Sequence, residues 1–368
     1  GPTNKAISVT GGITFDELVA GFTEQAHGLL EGGVDLFAVE TCQDTRNTKA
    51  ALIAVETVCR EAGATRPVIV SGTSELNGTM LGGQTAEAFV ASIEHARPLA
   101  IGLNCATGPE FMTDHLRSVH EMSACAVSCY PNAGLPDEDG LYPETPETLA
   151  AKLGRFVDAG WINLVGGCCG THEQHTAALA AMVDGKKPRE IPGRRSNRVF
   201  FTGIDLVEST PENRPLLVGE RTNVLGSAKF RRLVTEERWD EAAEIGRVQV
   251  KAGAQIVDVC LTTTERDEIA DIHEFYERLT RSIKAPLMID TTDPAAVEAA
   301  LTYSQGRAIV NSINLEDGEE RFEKICPLLR RYGAAAVVGT IDESPDDAQA
   351  FSRERKLEVA LRSHDLLT

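Results

Sequence analysis

Three cysteines in glycine-rich surroundings are the residues best suited to chemistry in this sequence. Cys105 lies in Gly102-Leu-Asn-Cys-Ala-Thr-Gly108, and the adjacent Cys168 and Cys169 lie in Val165-Gly-Gly-Cys-Cys-Gly-Thr171. Each segment follows an apolar run that predicts a buried strand, and the carboxyl ends of parallel strands form the ligand-binding edge of α/β folds. We therefore expect the three thiols to meet at one edge of a sheet.

Three thiolates are typical of a zinc site that keeps one coordination position open, as catalytic zinc sites do. Neighbouring residues on a regular strand point to opposite faces, so Cys168 and Cys169 can share a metal only if the backbone leaves the strand there. The flanking Gly166, Gly167 and Gly170 allow such a turn. A substrate thiol in the open position would lose its proton at neutral pH, which predicts thiol alkylation.

The other cysteines and two nearby histidines have simpler interpretations. Free cysteine is often a small buried hydrophobe, and we expect that for Cys42, Cys59, Cys125, Cys129, Cys260 and Cys326. His172 and His175 are alternative metal ligands. However, Thr171 and Gln174 fit a capping box, which predicts that both histidines lie in the first turn of a helix instead.

Four segments share a pattern in which an amphipathic stretch ends at glycine and runs directly into apolar residues. They are Glu31–Glu40, Asp158–Val165, Lys251–Val259 and Arg331–Val338. Each predicts a helix that ends at its glycine, followed by a buried strand. The repetition implies parallel strands joined by right-handed crossovers, and hence either a wound sheet or a (β/α)8 barrel.

Further apolar runs bring the predicted strands to about five on each side of residue 200. They are Pro67–Gly72, Leu99–Asn104, Cys125–Cys129, Leu216–Gly219, Pro286–Asp290 and Ala308–Ile313. Residues 184–215 carry four prolines and a basic cluster of Lys186, Lys187, Arg189, Arg194, Arg195 and Arg198. We expect a solvated linker at 186–214, between domains at 1–185 and 215–368, and weigh an anion or nucleic-acid docking site as the alternative.

Composition narrows the classes of partner. The 368 residues include 55 acidic and 36 basic side chains, a formal net charge of -19, which opposes binding to nucleic acid or anionic membrane surfaces. No apolar run approaches the roughly 18 residues of a membrane span. An odd number of cysteines, two of them adjacent, favours reduced thiols and a cytoplasmic location over a disulfide framework.

The first half closely resembles the homocysteine S-methyltransferase family. The two cysteine motifs carry the resemblance, together with Gly1-Pro-Thr-Asn4, Val39-Glu-Thr41 and Tyr130-Pro-Asn-Ala-Gly134. The resemblance implies that Cys105, Cys168 and Cys169 are catalytic and hold Zn²⁺, with homocysteine as the thiol. It further implies that Glu40 holds the substrate amino group and that Asn104 lines the pocket.

The second half resembles the pterin-binding barrel of cobalamin-dependent methionine synthases. The matching segments are Val218–Ser227, Met288–Asp290, Ile309–Ile313 and Leu329–Ala334. By position, the residues facing the pterin would be Glu220, Asn223, Asp290 and Asn311. Carboxylates and amides suit this role because a pterin edge offers a row of donors and acceptors that the site must pair. The Val259–Glu265 segment departs from the family's Asn-containing pattern.

Taken together, the resemblances imply two TIM-type (β/α)8 barrels in tandem, the first lacking its first strands and the second lacking its last. The implied reaction passes a methyl group from 5-methyltetrahydrofolate through methylcobalamin to homocysteine, giving methionine. No Asp-x-His-x-x-Gly cobalamin motif occurs, so we expect a separate cobalamin-binding domain or protein as a partner. Two alternatives stay open: a cobalamin-independent enzyme using a sulfonium or betaine donor, and an inactive zinc- or folate-binding fragment.

Overall fold

The computed structural model describes residues 2–192, 198–344 and 348–368. Its chain divides into two compact units, Gly1–Asn197 and Arg198–Thr368. Arg194 and Arg195 of the predicted basic cluster lie outside the described residues. Within the described part, none of the helices combines the length and the apolar character needed to cross a membrane.

The first unit alternates helices with parallel strands. Its helices are α1 (Phe15–Glu31), α2 (Thr45–Glu61), α3 (Ala86–Ile93), α4 (Thr113–Met122), α5 (Pro146–Asp158) and α6 (Glu173–Val183). Its strands are β1 (Phe37–Cys42), β2 (Val68–Gly72), β3 (Ala100–Asn104), β4 (Ala126–Tyr130) and β5 (Leu164–Val165). Short 3-10 helices span Glu94–Ala96 and Pro109–Met112.

The five strands of this unit pair in chain order, β1-β2-β3-β4-β5, and every pair is parallel. Consecutive order with one helix per crossover is the winding of a TIM-type domain rather than of a doubly wound sheet. The predicted α/β class is thus confirmed. Closure into a barrel is not seen among these strands and stays a prediction.

The second unit repeats the arrangement after a hairpin of β6 (Val199–Thr202) and β7 (Leu206–Ser209). Its sheet strands are β8 (Val218–Asn223), β9 (Ile256–Cys260), β10 (Leu287–Asp290), β11 (Ile309–Leu315) and β12 (Ala335–Asp342). Its helices are α7 (Ala228–Thr235), α8 (Trp239–Lys251), α9 (Glu268–Ser282), α10 (Pro294–Tyr303), α11 (Glu320–Tyr332) and α12 (Arg353–Leu367). The five sheet strands again lie in chain order and pair in parallel.

Glycines end the helices as the repeated pattern predicts. Gly33, Gly160, Gly253 and Gly333 all have φ between 69° and 104° and stand just after α1, α5, α8 and α11. Only glycine reaches this left-handed backbone without steric cost. Each glycine therefore turns the chain from a helix into the next strand.

The segment predicted as a solvated linker, 186–214, contains ordered structure, which corrects that expectation. The hairpin joins the second unit, because Thr202 N–H donates to the Arg307 carbonyl at 3.2 Å and Thr202 Oγ1 accepts from Arg307 N–H at 2.6 Å. Arg189 is 3% exposed and its guanidinium donates to the carbonyls of His120, Ser123 and Cys125. Arg189, one of the basic residues of this segment, is therefore a buried cation that hydrogen-bonds backbone carbonyls of the first unit.

Candidate functional site

The three predicted cysteines meet at the carboxyl ends of β3 and β5. The sulfur of Cys169 lies 3.7 Å from that of Cys105 and 3.9 Å from that of Cys168. All three sulfurs are within 4.8 Å of one another. Four zinc–thiolate bonds of about 2.3 Å in a tetrahedron place sulfurs about 3.8 Å apart, so this donor set fits zinc.

The backbone leaves regular strand geometry at each cysteine. Cys105 and Ala106 have φ of 59° and 58°, a left-handed conformation that costs a non-glycine residue about 1–3 kcal/mol. β5 ends at Val165, so Cys168 and Cys169 lie in the turn that follows and can face the same point. The required turn is made at Gly170, whose φ is 79°.

A buried hydrogen-bond network fixes the strand ends beneath the cysteines. The Asn104 side-chain oxygen accepts from Thr41 N–H at 2.9 Å and from the Ser71 hydroxyl at 2.6 Å. Tyr130 OH donates to Ser71 Oγ at 2.8 Å. Asn104 is 1% exposed, so it lies under the cluster rather than on an open wall. No sequence pattern predicts the contact between Ser71 and Tyr130, which links β2 to β4.

Two thiols of the cluster, those of Cys105 and Cys168, resist ionisation on their own. Burial, reinforced by the charges of the neighbouring sulfurs, raises the pKa of Cys168 to about 12. Burial likewise raises the pKa of Cys105. Three close thiolates repel one another, and a divalent cation reverses that repulsion. The cluster is therefore suited to hold a cation.

The two histidines begin helix α6 instead of joining the cysteines. His172 is the N-cap residue and its Nδ1 accepts from Gln174 N–H at 3.3 Å. His175 Nδ1 accepts from His172 N–H at 3.3 Å. The predicted Thr171 and Gln174 capping box is thus wrong by one residue, because Thr171 Oγ1 donates to the Cys168 carbonyl.

Glu40 lies near the carboxyl end of β1 with an exposed side chain. Its charge contributes to raising the pKa of Tyr130, behind the main effect of burial. A cavity of about 90 Å³ beside it is lined by β1, by α1 and by Pro2 and Thr3. Glu40 therefore offers an accessible carboxylate at the edge that carries the cysteines.

In the second unit, the four predicted pterin-facing residues gather around a fifth that the prediction omitted, Asp258. Asn223 Nδ2 donates to Asp258 Oδ2 at 3.3 Å and to Asp290 Oδ2 at 3.1 Å. Asn311 and Glu220 are close enough to act on the pKa of Asp258, which the Asn311 amide lowers and the Glu220 charge raises. A single acidic residue in the apolar run Ile256-Val-Asp-Val-Cys260 was the available signal.

Asp258 is held in an environment that disfavours its charge. It is 2% exposed, and its Oδ1 has no hydrogen-bond partner among the described residues. Burial first, and then the Asp290 charge, raise its pKa to about 6. Burial also raises the pKa of Asp290. The buried acceptor with no partner is suited to a ligand that brings its own donor.

Comparison with protein families decides the assignment of each unit. The homocysteine S-methyltransferase model matches residues 1–183. The pterin binding enzyme model matches residues 219–365. The first unit is thus similar to homocysteine S-methyltransferases and the second to pterin binding enzymes.

Two solved structures are similar to part of this chain. The apo form of the homocysteine methyltransferase MmuM from Escherichia coli shares 23% identity over 46% of this chain and 57% of its own, with a TM-score of 0.37. The oxidized form shares 23% identity over 44% of this chain and 52% of its own, with a TM-score of 0.34. The chain spans just over half the length of these structures.

Proposed function

We propose that the first unit binds homocysteine through the three cysteines for methylation of its sulfur, and that the second unit binds the donor 5-methyltetrahydrofolate. The observation that carries the proposal is the spacing of the cysteine sulfurs, two of which lie 3.7 and 3.9 Å from the third. Cys105 and Cys169 are 64 positions apart in the sequence. Such convergence is expected of a ligand site.

Zinc held by Cys105, Cys168 and Cys169 would supply Lewis acidity that favours the thiolate form of homocysteine at neutral pH. The protein's own groups then divide the remaining tasks. Asn104 fixes the cysteine segments from below, with its amide nitrogen 3.9 Å from the Cys168 sulfur. Glu40, exposed near the end of β1, would pair with the substrate ammonium group. The thiolate attacks the methyl carbon and the donor leaves with the bonding electron pair.

The second unit offers groups that match a pterin edge. Asp290 and Asp258 provide carboxyl oxygens, and the amides of Asn223 and Asn311 provide both donors and acceptors. Fixed groups of this kind can pair the ring nitrogens and the exocyclic amine and carbonyl of a pterin. The pterin-binding family match over residues 219–365 favours a folate donor over a sulfonium or betaine.

Cobalamin is the carrier that the resemblance implies between the two substrates. The Asp-x-His-x-x-Gly motif that resembles a cobalamin-binding signature does not occur in the sequence. In this proposal the carrier therefore belongs to another domain or protein, and the type of activity is that of a methionine synthase.

Zinc stoichiometry of the full chain tests the first unit. We expect about one zinc per wild-type chain, its loss in Cys105→Ser, Cys168→Ser and Cys169→Ser, and release of a proton when homocysteine is added. Cys59→Ser is the matched control, because Cys59 is a half-buried cysteine on α2 outside the cluster. A folded wild-type chain without zinc, shown by circular dichroism and metal analysis, would refute this function.

Folate binding tests the second unit separately. We expect Asp290→Asn and Asn223→Ala to weaken 5-methyltetrahydrofolate binding at least about tenfold, because each leaves part of the pterin edge unpaired. Asp240→Asn is the control, since Asp240 is an exposed carboxylate on α8. Calorimetry on the full chain gives the affinities, and equal affinities for all variants would place the donor elsewhere.

A further inference from the structure

Strand β4 lies between the two strands that lead to the cysteines. It pairs with β3, which ends just before Cys105, and with β5, which ends shortly before Cys168 and Cys169. Beyond β4 the chain continues as the central segment, residues 130–134. Hydrogen bonds join this segment to both of the segments that carry cysteines.

The central segment holds the cysteine segment that follows β3. Cys105 N–H donates to the Tyr130 carbonyl at 3.3 Å. Two residues further along each chain, Asn132 N–H donates to the Thr107 carbonyl at 3.2 Å. Hydrogen bonding between the two chains thus continues past Cys105, although the backbone of Cys105 itself is left-handed.

The central segment also holds the cysteine pair that follows β5. Cys168 N–H donates to the Pro131 carbonyl at 2.8 Å, and Ala133 N–H donates to the Cys169 carbonyl at 2.9 Å. The other N–H of the pair, that of Cys169, donates to the side-chain oxygen of Asn132 at 3.1 Å. Both amides of the pair are therefore bonded to the central segment.

Asn132 contacts both cysteine segments. Its backbone N–H bonds the segment that follows β3, and its side-chain oxygen bonds Cys169. Successive N–H groups of a regular strand point to opposite sides, so a neighbouring backbone alone does not accept from both Cys168 and Cys169. The Asn132 side chain supplies the second acceptor. It thereby supports the turn that brings both sulfurs of the pair near that of Cys105.

The position of Asn132 is itself fixed by its surroundings. The residue is 5% exposed. Glu144 N–H donates to the Ala133 carbonyl at 3.0 Å, which joins the central segment to the chain just before α5. A Cβ atom at Gly108 would lie 2.9 Å from Gly134 Cα, so the segment that follows β3 packs directly on the central segment. Asn132 is thus a fixed point between the two cysteine segments.

We propose that Asn132 is a positioning residue, which holds the segments of Cys105 and Cys169 in place relative to each other before a metal binds. This inference rests on the proposed zinc and homocysteine site. Ligands that are already in place lose little conformational freedom on binding, so the metal is bound more tightly. Residues that orient metal ligands typically contribute about 10–100-fold to metal affinity.

Asn132→Ala in the full chain tests the proposal, because it removes the acceptor of Cys169 N–H and keeps the backbone bond to Thr107. We expect the zinc Kd, measured by competition with a chelator, to rise at least about tenfold. With cobalt(II) in place of zinc, the visible ligand-field bands report how the sulfurs surround the metal. We expect these bands to change in position and intensity, since Cys169 loses its support.

Asn163→Ala is the matched control, because it removes the same kind of hydrogen bond at the opposite end of β5. The side-chain oxygen of Asn163 accepts from Val127 N–H at 2.9 Å, and its amide nitrogen donates to the Arg189 carbonyl at 2.8 Å. The urea midpoint of this variant should fall at least as far as that of Asn132→Ala. Its zinc affinity and cobalt spectrum should equal those of the wild type. An equal loss of zinc affinity in both variants would attribute the effect to stability and refute the positioning role.

Hydrogen exchange of the metal-free wild-type chain, followed by NMR, tests the same proposal without a variant. The Cys168 and Cys169 amides should exchange more slowly than those of an unstructured peptide, and exchange of the Cys169 amide at the unstructured rate would overturn the proposal. If the wild type binds one zinc and a folded Asn132→Ala binds it equally tightly, the role of Asn132 is refuted and the proposed function stands. If the folded wild type binds no zinc, both are refuted.

Discussion

The side-chain amide nitrogen of Asn104 lies 3.9 Å from the sulfur of Cys168, a residue 64 positions later in the chain. The oxygen of the same amide accepts hydrogen bonds from Thr41 and Ser71. One buried side chain therefore connects the ends of β1, β2 and β3 to the turn after β5. The position of a predicted metal ligand depends on a network that reaches across the sheet.

Replacing Asn104 with alanine should loosen both the metal site and the fold. The partly buried Thr41 N–H and the buried Ser71 hydroxyl lose their acceptor, which costs about 1–3 kcal/mol of unfolding free energy. Zinc affinity should fall about tenfold as the support of Cys168 is lost. Urea unfolding and chelator competition measure the two effects. Asn77→Ala, in an exposed loop, should change neither, and an Asn104→Ala chain with wild-type zinc affinity would exclude the supporting role.

Gly102 marks a position where the sheet has no room for a side chain. A Cβ there would lie 1.9 Å from the Ser128 carbonyl oxygen on the paired strand β4. Gly102→Ala should therefore destabilise the first unit by several kcal/mol or prevent its folding. Gly28→Ala is the control: Gly28 is an exposed position in α1 with nothing within 4 Å of the new atom. There we expect a gain of about 0.5–1 kcal/mol. Thermal unfolding of the two variants should move in opposite directions, and a well-folded Gly102→Ala would contradict the packing.

Arg189 should contribute strongly to stability although it belongs to a basic segment. Arg189→Ala leaves one buried and two partly buried carbonyl oxygens without their donor, at a cost of about 3 kcal/mol. Arg189→Lys should recover only part of the lost unfolding free energy, because one ammonium group cannot reproduce the hydrogen bonds of a planar guanidinium. Lys187→Ala, at an exposed position, should have no effect. Equal denaturant midpoints for Arg189→Ala and Lys187→Ala would show that the buried contacts contribute nothing.

Structural features that depend on a few neighbouring residues could be predicted from the sequence. The glycines that end α1 and α5 were found because a left-handed backbone demands glycine within one or two residues of the helix end. The meeting of Cys105 with Cys168 and Cys169 followed from their places after parallel strands, since those ends share one edge.

Features that depend on distant partners were not predictable in the same way. The sequence pattern predicts a solvated Arg189. The carbonyl groups that accept its hydrogen bonds belong to residues 64 to 69 positions earlier in the chain. The sequence shows Asp258 as a single acidic residue within an apolar strand. Its hydrogen bond with Asn223 depends on the pairing of two strands and could not be predicted from the sequence.

The raised pKa of Asp258 predicts a specific pH dependence of stability. Its folded pKa is about 6, against an ordinary value of 3.8. Above pH 6 the native chain must keep a buried carboxylate charged near Asp290, whereas the unfolded chain keeps that charge in water. Ionisation therefore destabilises the fold at high pH, and the penalty shrinks as pH falls through 6 and disappears below about pH 4.

Asp258→Asn removes this penalty and keeps a side chain that can still accept a hydrogen bond from Asn223. We expect the variant to exceed the wild type in unfolding free energy by on the order of 1 kcal/mol at pH 8, with the difference approaching zero near pH 4. Urea midpoints of the full chain at several pH values measure it, with exposed Asp240→Asn as the control. A difference that grows as pH falls would have the wrong sign and would show that Asp258 is ionised at a stabilising site.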